Sequence, residues 1–193
     1  MKKIILATLF CSLGAYASES EDTSNNKMSL AIDYINSSNS FTRELGGQSY
    51  TESNNSNAFG LRLGFNKSNN GQWFIAYQNE NFDIGIYDVN NNPLHYLSLG
   101  YNKEFPFSNG LAPYIRGSLG VGTMSVTGYS DSSATAIGGK VGAGLGYYVT
   151  DSFKISAGVD VQYRVWTPIK TTYGDIDIND SSFMATLGAE YYF

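Results

Sequence analysis

The sequence predicts an all-β fold: an eight-stranded antiparallel barrel whose strands run up and down in chain order. Three observations predict it. From residue 28 onward, apolar residues alternate with small or polar ones, the period of a strand with two unlike faces. A Leu-Gly motif followed by aromatics recurs four times, which counts hairpins. Connections between the alternating segments are short at one end of the strands and long and polar at the other.

The 193 residues are 42% hydrophobic and only 15% charged, yet mean hydropathy is slightly negative at -0.22. An ordinary soluble domain carries about 25% charged residues. Here the missing charge is replaced by Gly, Ser, Asn and Tyr, which excludes a coiled coil, a helical bundle and a basic nucleic-acid binder. Only one long apolar run exists, so a polytopic helical membrane protein is excluded as well.

That run opens the chain. Met1-Lys2-Lys3 is basic, Ile4 to Leu13 is apolar, and Ala15-Tyr16-Ala17 supplies small residues where a signal peptidase reads. This order predicts a secretory signal peptide over 1–17, cleaved after Ala17. Thr8-Leu9-Phe10 before Cys11 lacks the small residue that a lipoprotein cysteine requires. Residues 18–27 read as a flexible polar lead-in, and 28–193 as the barrel. The mature chain then has no cysteine, so no disulfide holds it together. Without Lys2 and Lys3 it has 10 basic residues against 17 acidic, a net charge of −7. Nucleic acid is not expected as a partner.

The strands are expected at 28–36, 57–66, 71–81, 94–103, 113–124, 136–149, 153–166 and 181–193. Leu63-Gly-Phe-Asn-Lys67 recurs as Leu99-Gly-Tyr-Asn-Lys103, then more loosely at Leu145-Gly146-Tyr147 and Leu187-Gly188. The copies are 36, 46 and 42 residues apart, two strands plus their connections. Each copy marks the even-numbered strand of a hairpin. The sixth strand alternates most clearly, with Ile137, Val141, Ala143, Leu145, Tyr147 and Val149 opposite Gly138, Lys140, Gly142, Gly144 and Gly146. The seventh follows, with Ile155 to Val165 on odd positions opposite Ser156, Gly158, Asp160, Gln162 and Arg164. Segments 37–56, 82–93, 125–135 and 167–180 read as long polar loops. Lys67–Asn70 and Thr150–Ser152 read as turns, and 104–112 as an intermediate connection.

Alternation does not say which face points inward; a soluble barrel around an apolar ligand also alternates. Three features favour a transmembrane β-barrel with its apolar face on lipid. The polar face carries Asp33, Arg62, Glu80, Arg116, Lys140, Asp160, Arg164 and Glu190 among Gly and Ser, a set able to neutralise itself in a narrow lumen. Aromatics such as Tyr34, Phe59, Trp73, Tyr77, Tyr101, Tyr147 and Tyr163 gather near strand ends, as interfacial girdles do. Pairing the last strand with the first leaves no edge, and hydrocarbon requires closure. Five mid-strand charges on lipid would cost about 2–4 kcal/mol each, roughly 10–20 in all. That rivals the ~5–15 kcal/mol stability of a whole domain, so the charges face the lumen.

The chain's end is its most specific stretch. In Thr186-Leu-Gly188-Ala-Glu-Tyr191-Tyr-Phe193 a glycine is followed by aromatics at the third-from-last and last positions. It resembles the C-terminal motif that the bacterial barrel-assembly machinery reads, which assigns Gly188, Tyr191 and Phe193 to that recognition. The chain over 28–193 resembles the small eight-stranded outer-membrane barrels of Gram-negative bacteria, OmpA transmembrane-domain and OmpX-like. No periplasmic peptidoglycan-binding domain is expected after Phe193, so wall anchoring is not an expected role.

Eight strands enclose an interior just filled by side chains. The inward charges therefore read as a structural ion-pair network, with a narrow polar pore as the alternative. Some small outer-membrane barrels modify lipopolysaccharide, and the deacylase kind uses a His and a Ser two residues apart. The single histidine stands in His95-Tyr96-Leu97-Ser98, where alternation puts His95 and Ser98 on opposite faces. An Asp131-Ser132 pair is the remaining enzymatic candidate, in a polar loop. Neither metal nor cofactor is expected, since the mature chain lacks cysteine and has a single histidine. Asp175-Ile-Asp177-Ile-Asn179-Asp180 lacks the glycine and closing glutamate of an EF-hand loop.

The function expected is structural or surface-interacting: envelope integrity, adhesion or host-factor binding, without catalysis. A small porin and a lipopolysaccharide-modifying enzyme are the alternatives. Expected partners are outer-membrane lipid and lipopolysaccharide, the barrel-assembly machinery, and a host or surface ligand at loops 37–56 and 167–180. The protein is expected to be a monomer.

Overall fold

The computed structural model describes residues 28–82, 93–125, 133–171 and 174–193. The expected signal peptide 1–17, the lead-in 18–27 and the Asp131-Ser132 pair lie outside the described residues. The described residues form nine strands: β1 (Ser29–Leu45), β2 (Gln48–Ser68), β3 (Gly71–Phe82), β4 (Leu94–Glu104), β5 (Leu111–Ser125), β6 (Ser133–Thr150), β7 (Phe153–Trp166), β8 (Ile169–Thr171) and β9 (Gly174–Tyr192). β1 to β7 pair in sequence, β7 pairs with β9, and β9 returns to β1, all antiparallel. Eight strands thus form the ring. The short β8 pairs only with β9, outside the ring.

The register fixes the dimensions. Stepping across the ladder from Ile32 leads through Leu61, Tyr77, Leu97, Val121, Ile137, Val165 and Asn179 back to Thr42, ten residues further along β1. With about 3.3 Å per residue and about 4.8 Å between strands, a shear of ten tilts the strands by roughly 41°. The same values give a backbone cylinder of radius about 8 Å. Side chains fill such an interior.

Alternation becomes an inside and an outside. On β4, Leu94, Tyr96, Ser98, Gly100, Asn102 and Glu104 are buried, while Leu97 and Leu99 are 53% and 52% exposed. The outer wall is an unbroken apolar surface through Leu30, Leu61, Ile75, Leu99, Leu119, Val141, Val159 and Leu187. A monomeric soluble protein rarely exposes a contiguous apolar patch beyond a few hundred Å².

The ends differ. At the end bearing the termini, β2 turns into β3 through Asn69-Asn70, both at positive φ (47° and 59°). Two left-handed residues suit a two-residue hairpin loop, and asparagine tolerates that region better than most side chains. β6 turns into β7 through Asp151-Ser152. At the opposite end, β1, β2 and β9 run well past their neighbours.

Two long loops expected from the sequence are strands instead. Segment 37–56 is the outer half of the β1–β2 hairpin, paired down to Leu45 opposite Gln48 and turning through Gly46-Gly47 at φ of 59° and 82°. β1 pairs with β9 along the same stretch, as far as Glu44 opposite Asp177. Segment 167–180 holds β8 and the start of β9. Asn and Ser have low intrinsic strand preference, but a segment hydrogen-bonded along one or both edges is a strand regardless.

Candidate functional site

Among the described residues, the ion-paired side chains converge in the lumen, where they form three tiers. Nearest the termini, Lys154 from β7 bridges Glu104 of β4 and Glu190 of β9, the latter at 2.7 Å. Arg62 of β2 continues the chain, 3.5 Å from Glu190 and 3.3 Å from Asp33 of β1. Ser29 donates to Glu190 at 2.6 Å and Tyr148 donates to Glu104 at 2.6 Å. The Lys154 ammonium also lies 5.3 Å from the Tyr192 ring centre. Cations and carboxylates alternate, so every desolvated charge in this tier faces an opposite one.

The middle tier is smaller. Arg116 of β5 holds Asp160 of β7 with both arms of its guanidinium, Nε donating at 2.7 Å, and Thr186 donates to the same carboxylate at 2.8 Å. Lys140 of β6 faces this tier with Asp160 and Arg116 as charged neighbours, without an ion pair within 4 Å among the described residues.

The third tier centres on Arg164, which has no exposed surface. Its Nη1 donates to Glu80 at 2.6 Å and its Nε to Asp180 at 2.9 Å. Trp166 donates its indole N–H to Asp180 at 2.6 Å, and Ser56 donates to Glu80 at 2.6 Å. Above it the lumen turns apolar: Phe41, Phe82, Leu94, Met124, Trp166 and Ile178 pack together, Phe41 meeting Phe82 edge-on at 5.6 Å. The polar column is thus stoppered by hydrocarbon at the end opposite the termini.

Glycines make room for this column. A Cβ on Gly142 would come within 1.9 Å of Asp160 Oδ1, and one on Gly138 within 2.7 Å of Arg164 Cγ. Long side chains lie flat against a wall that has been cleared for them.

The structure places all eight sequence-predicted lumen charges inside and brings seven of them into ion pairs, Lys140 standing apart from direct pairing. Sequence reasoning missed Glu104, Lys154 and Asp180. Lys154 shares the parity of Asp160 and Arg164 and was legible from it. Glu104 fell in an expected connection. Asp180 was read as a solvated loop acid, yet it is 0% exposed because β9 begins at Gly174 and carries it into the lumen.

At the C-terminus, Gly188 faces the lumen beside Asp33, while Tyr191 and Phe193 lie on the outer wall at 54% and 62% exposure. Phe193 and Met28 exchange backbone hydrogen bonds of 3.0 and 3.2 Å, zipping the ring shut at its edge. His95 is on the outer wall, where Tyr77 lies 2.7 Å from its Nδ1; Ser98 is buried in the lumen. The described residues contain no group of three or more His, Cys, Asp or Glu able to hold a metal ion.

A closed sheet that is apolar outside and ion-paired inside defines the protein as a membrane β-barrel. The chain belongs to the outer membrane protein beta-barrel domain family, which it matches over residues 4–193. Membership implies residence in the bacterial outer membrane, with the termini and tight turns at the periplasmic end. No curated protein matches the sequence. Among solved structures, the fold is similar to Neisserial surface protein A (18% identity, 86% of this chain and 97% of that one, TM-score 0.55). It is also similar to the outer membrane protein AlkL (15%, 92% and 95%, TM-score 0.53). OprG from Pseudomonas aeruginosa is a third (12%, 87% and 96%, TM-score 0.51). At these identities the likeness is one of fold.

Proposed function

We propose that the protein is a non-conducting, non-catalytic barrel of the outer membrane. Its role is structural or surface-interacting, exercised through the part of β1, β2, β8 and β9 that projects outward. The observation that supports this reading is the occupied lumen: among the described residues, three tiers of ion-paired side chains lie beneath an apolar cluster at the outer end. An ion crossing it would have to part buried pairs and then enter hydrocarbon, each step costing several kcal/mol. Reconstitution in planar bilayers tests it. No stepwise conductance is expected from the wild type; reproducible channels altered by Arg116→Ala would establish the porin reading instead.

The projecting hairpin and the β8–β9 segment are the surface offered to a host or surface ligand, and lipid with lipopolysaccharide is the surrounding partner of a monomer. The aromatic C-terminus, exposed on the outer wall beside the closing seam, suits reading by the barrel-assembly machinery. Removing Phe193 is expected to lower the amount of heat-modifiable barrel in outer-membrane fractions severalfold. Unchanged assembly would remove that role.

A further inference from the structure

The apolar wall is not equally tall all round. At about 2.5 Å of climb per residue along the tilted strands, Asn36 on β1 and Asn79 on β3 lie about 8 Å nearer the bilayer centre than Val165 on β7. All three point outward. Across β1 to β4 a strip of amide, phenol and imidazole groups therefore sits at a depth where the opposite wall is still hydrocarbon-facing.

The strip is hydrogen-bonded, and its bonding shows what it has left over. Asn57 Oδ1 accepts from Tyr34 and from Asn36, each at 2.9 Å. His95 Nδ1 lies 2.7 Å from the Tyr77 hydroxyl and 3.3 Å from Asn79 Nδ2, both able to donate. A nitrogen that accepts carries no proton, so the proton of a neutral His95 ring is on Nε2. The Nε2–H, the Asn57 amide N–H groups and the Asn36 carbonyl oxygen have no side-chain partner among the described residues, and they belong to side chains on the outward face of the sheet. Polar groups at such a depth are costly unless something there bonds to them. Among the described residues, the strip contains no Lys, Arg, Asp or Glu, so neither a phosphate nor a bridging divalent cation is its natural ligand.

We propose that this wall seats the amide- and hydroxyl-bearing sugar backbone of an outer-leaflet glycolipid, the lipid A portion of lipopolysaccharide. Its acyl chains would run down the shorter apolar wall below, past Tyr34, Phe59 and Tyr77. The inference depends on the outer-membrane location and not on whether the lumen conducts, so its failure leaves the closed-barrel reading intact.

The test compares protein folded in phosphatidylcholine vesicles alone, with lipid A, and with phosphatidylglycerol. Lipid A retained through exchange into detergent is quantified by mass spectrometry. The wild type is expected to retain lipid A, and the Asn36→Leu/Asn57→Leu/Asn79→Leu/His95→Leu variant about tenfold less, as for two or three lost hydrogen bonds. A control with Ser133→Leu/Thr135→Leu, outward-facing on β6 and two strands away from the strip, is expected to match the wild type. Heat modifiability in phosphatidylcholine verifies that each variant is folded. Equal retention by the quadruple variant, an equal loss in the control, or retention of phosphatidylglycerol as strong as that of lipid A would overturn the proposal.

Discussion

Arg164→Ala is expected to destabilise the barrel by about 3–5 kcal/mol, the cost of removing one partner from a buried ion pair. The side chain is fully buried and serves two carboxylates on strands that do not neighbour each other in sequence, Glu80 on β3 and Asp180 on β9. Without it, the two desolvated acids would keep only neutral hydrogen-bond donors, with Lys140 as a more distant cation that makes no direct ion pair with them. Urea titration in vesicles, followed by tryptophan fluorescence, reads the loss directly because Trp166 bonds to Asp180. Adding Glu80→Gln to Arg164→Ala is expected to recover part of it, since one orphaned charge is removed. A loss below about 1 kcal/mol would mean that water or relaxation solvates the acids, and that the tier is not the sealed pair described.

Val141→Arg is expected to cost about 2–4 kcal/mol, although its neighbour Lys140 is already a cation. The two residues differ only in parity: Lys140 enters the lumen, while Val141 is 55% exposed near mid-height of the outer wall. The same change at Thr123, nearer the outer rim, is expected to cost at most about 1 kcal/mol, because the penalty is depth-dependent. The same vesicle titration distinguishes them. Equal costs at both positions would show that the apolar wall is not lipid-facing at Val141.

Much of this was legible from parity. Once Ile155, Val159 and Val161 are assigned to one face, Asp160 and Arg164 must take the other, and the ring places them inside. Strand number was legible because the Leu-Gly motif ends alternate strands. Which acid meets which base was not legible, since Arg164 and Glu80 come together only through a shear of ten carried round the whole ring. The length of β1 and β2 was not legible from propensity: Ser37 to Ser40 and Ser53 to Ser56 look like loop, and pairing with neighbouring strands overrides that preference. One local signal was present, the Gly46-Gly47 pair, which suits a two-residue hairpin loop. The asymmetry of the outer wall required the register, because it compares heights on strands far apart in sequence.

The seam between β1 and β9 joins residues about as far apart in the chain as possible, Ser29 meeting Glu190 by a side-chain hydrogen bond across it. Contacts of such separation carry the greatest loop-closure entropy and form late. Until they form, Arg62, Asp160, Arg164 and the rest line the inner face of an open, curved sheet. An open sheet laid into the bilayer would expose those charges to hydrocarbon, at a cost comparable to the stability of the finished barrel. The ion-paired interior therefore bears on the route as well as the product: partial insertion is penalised, and closing the ring and crossing the membrane become one event.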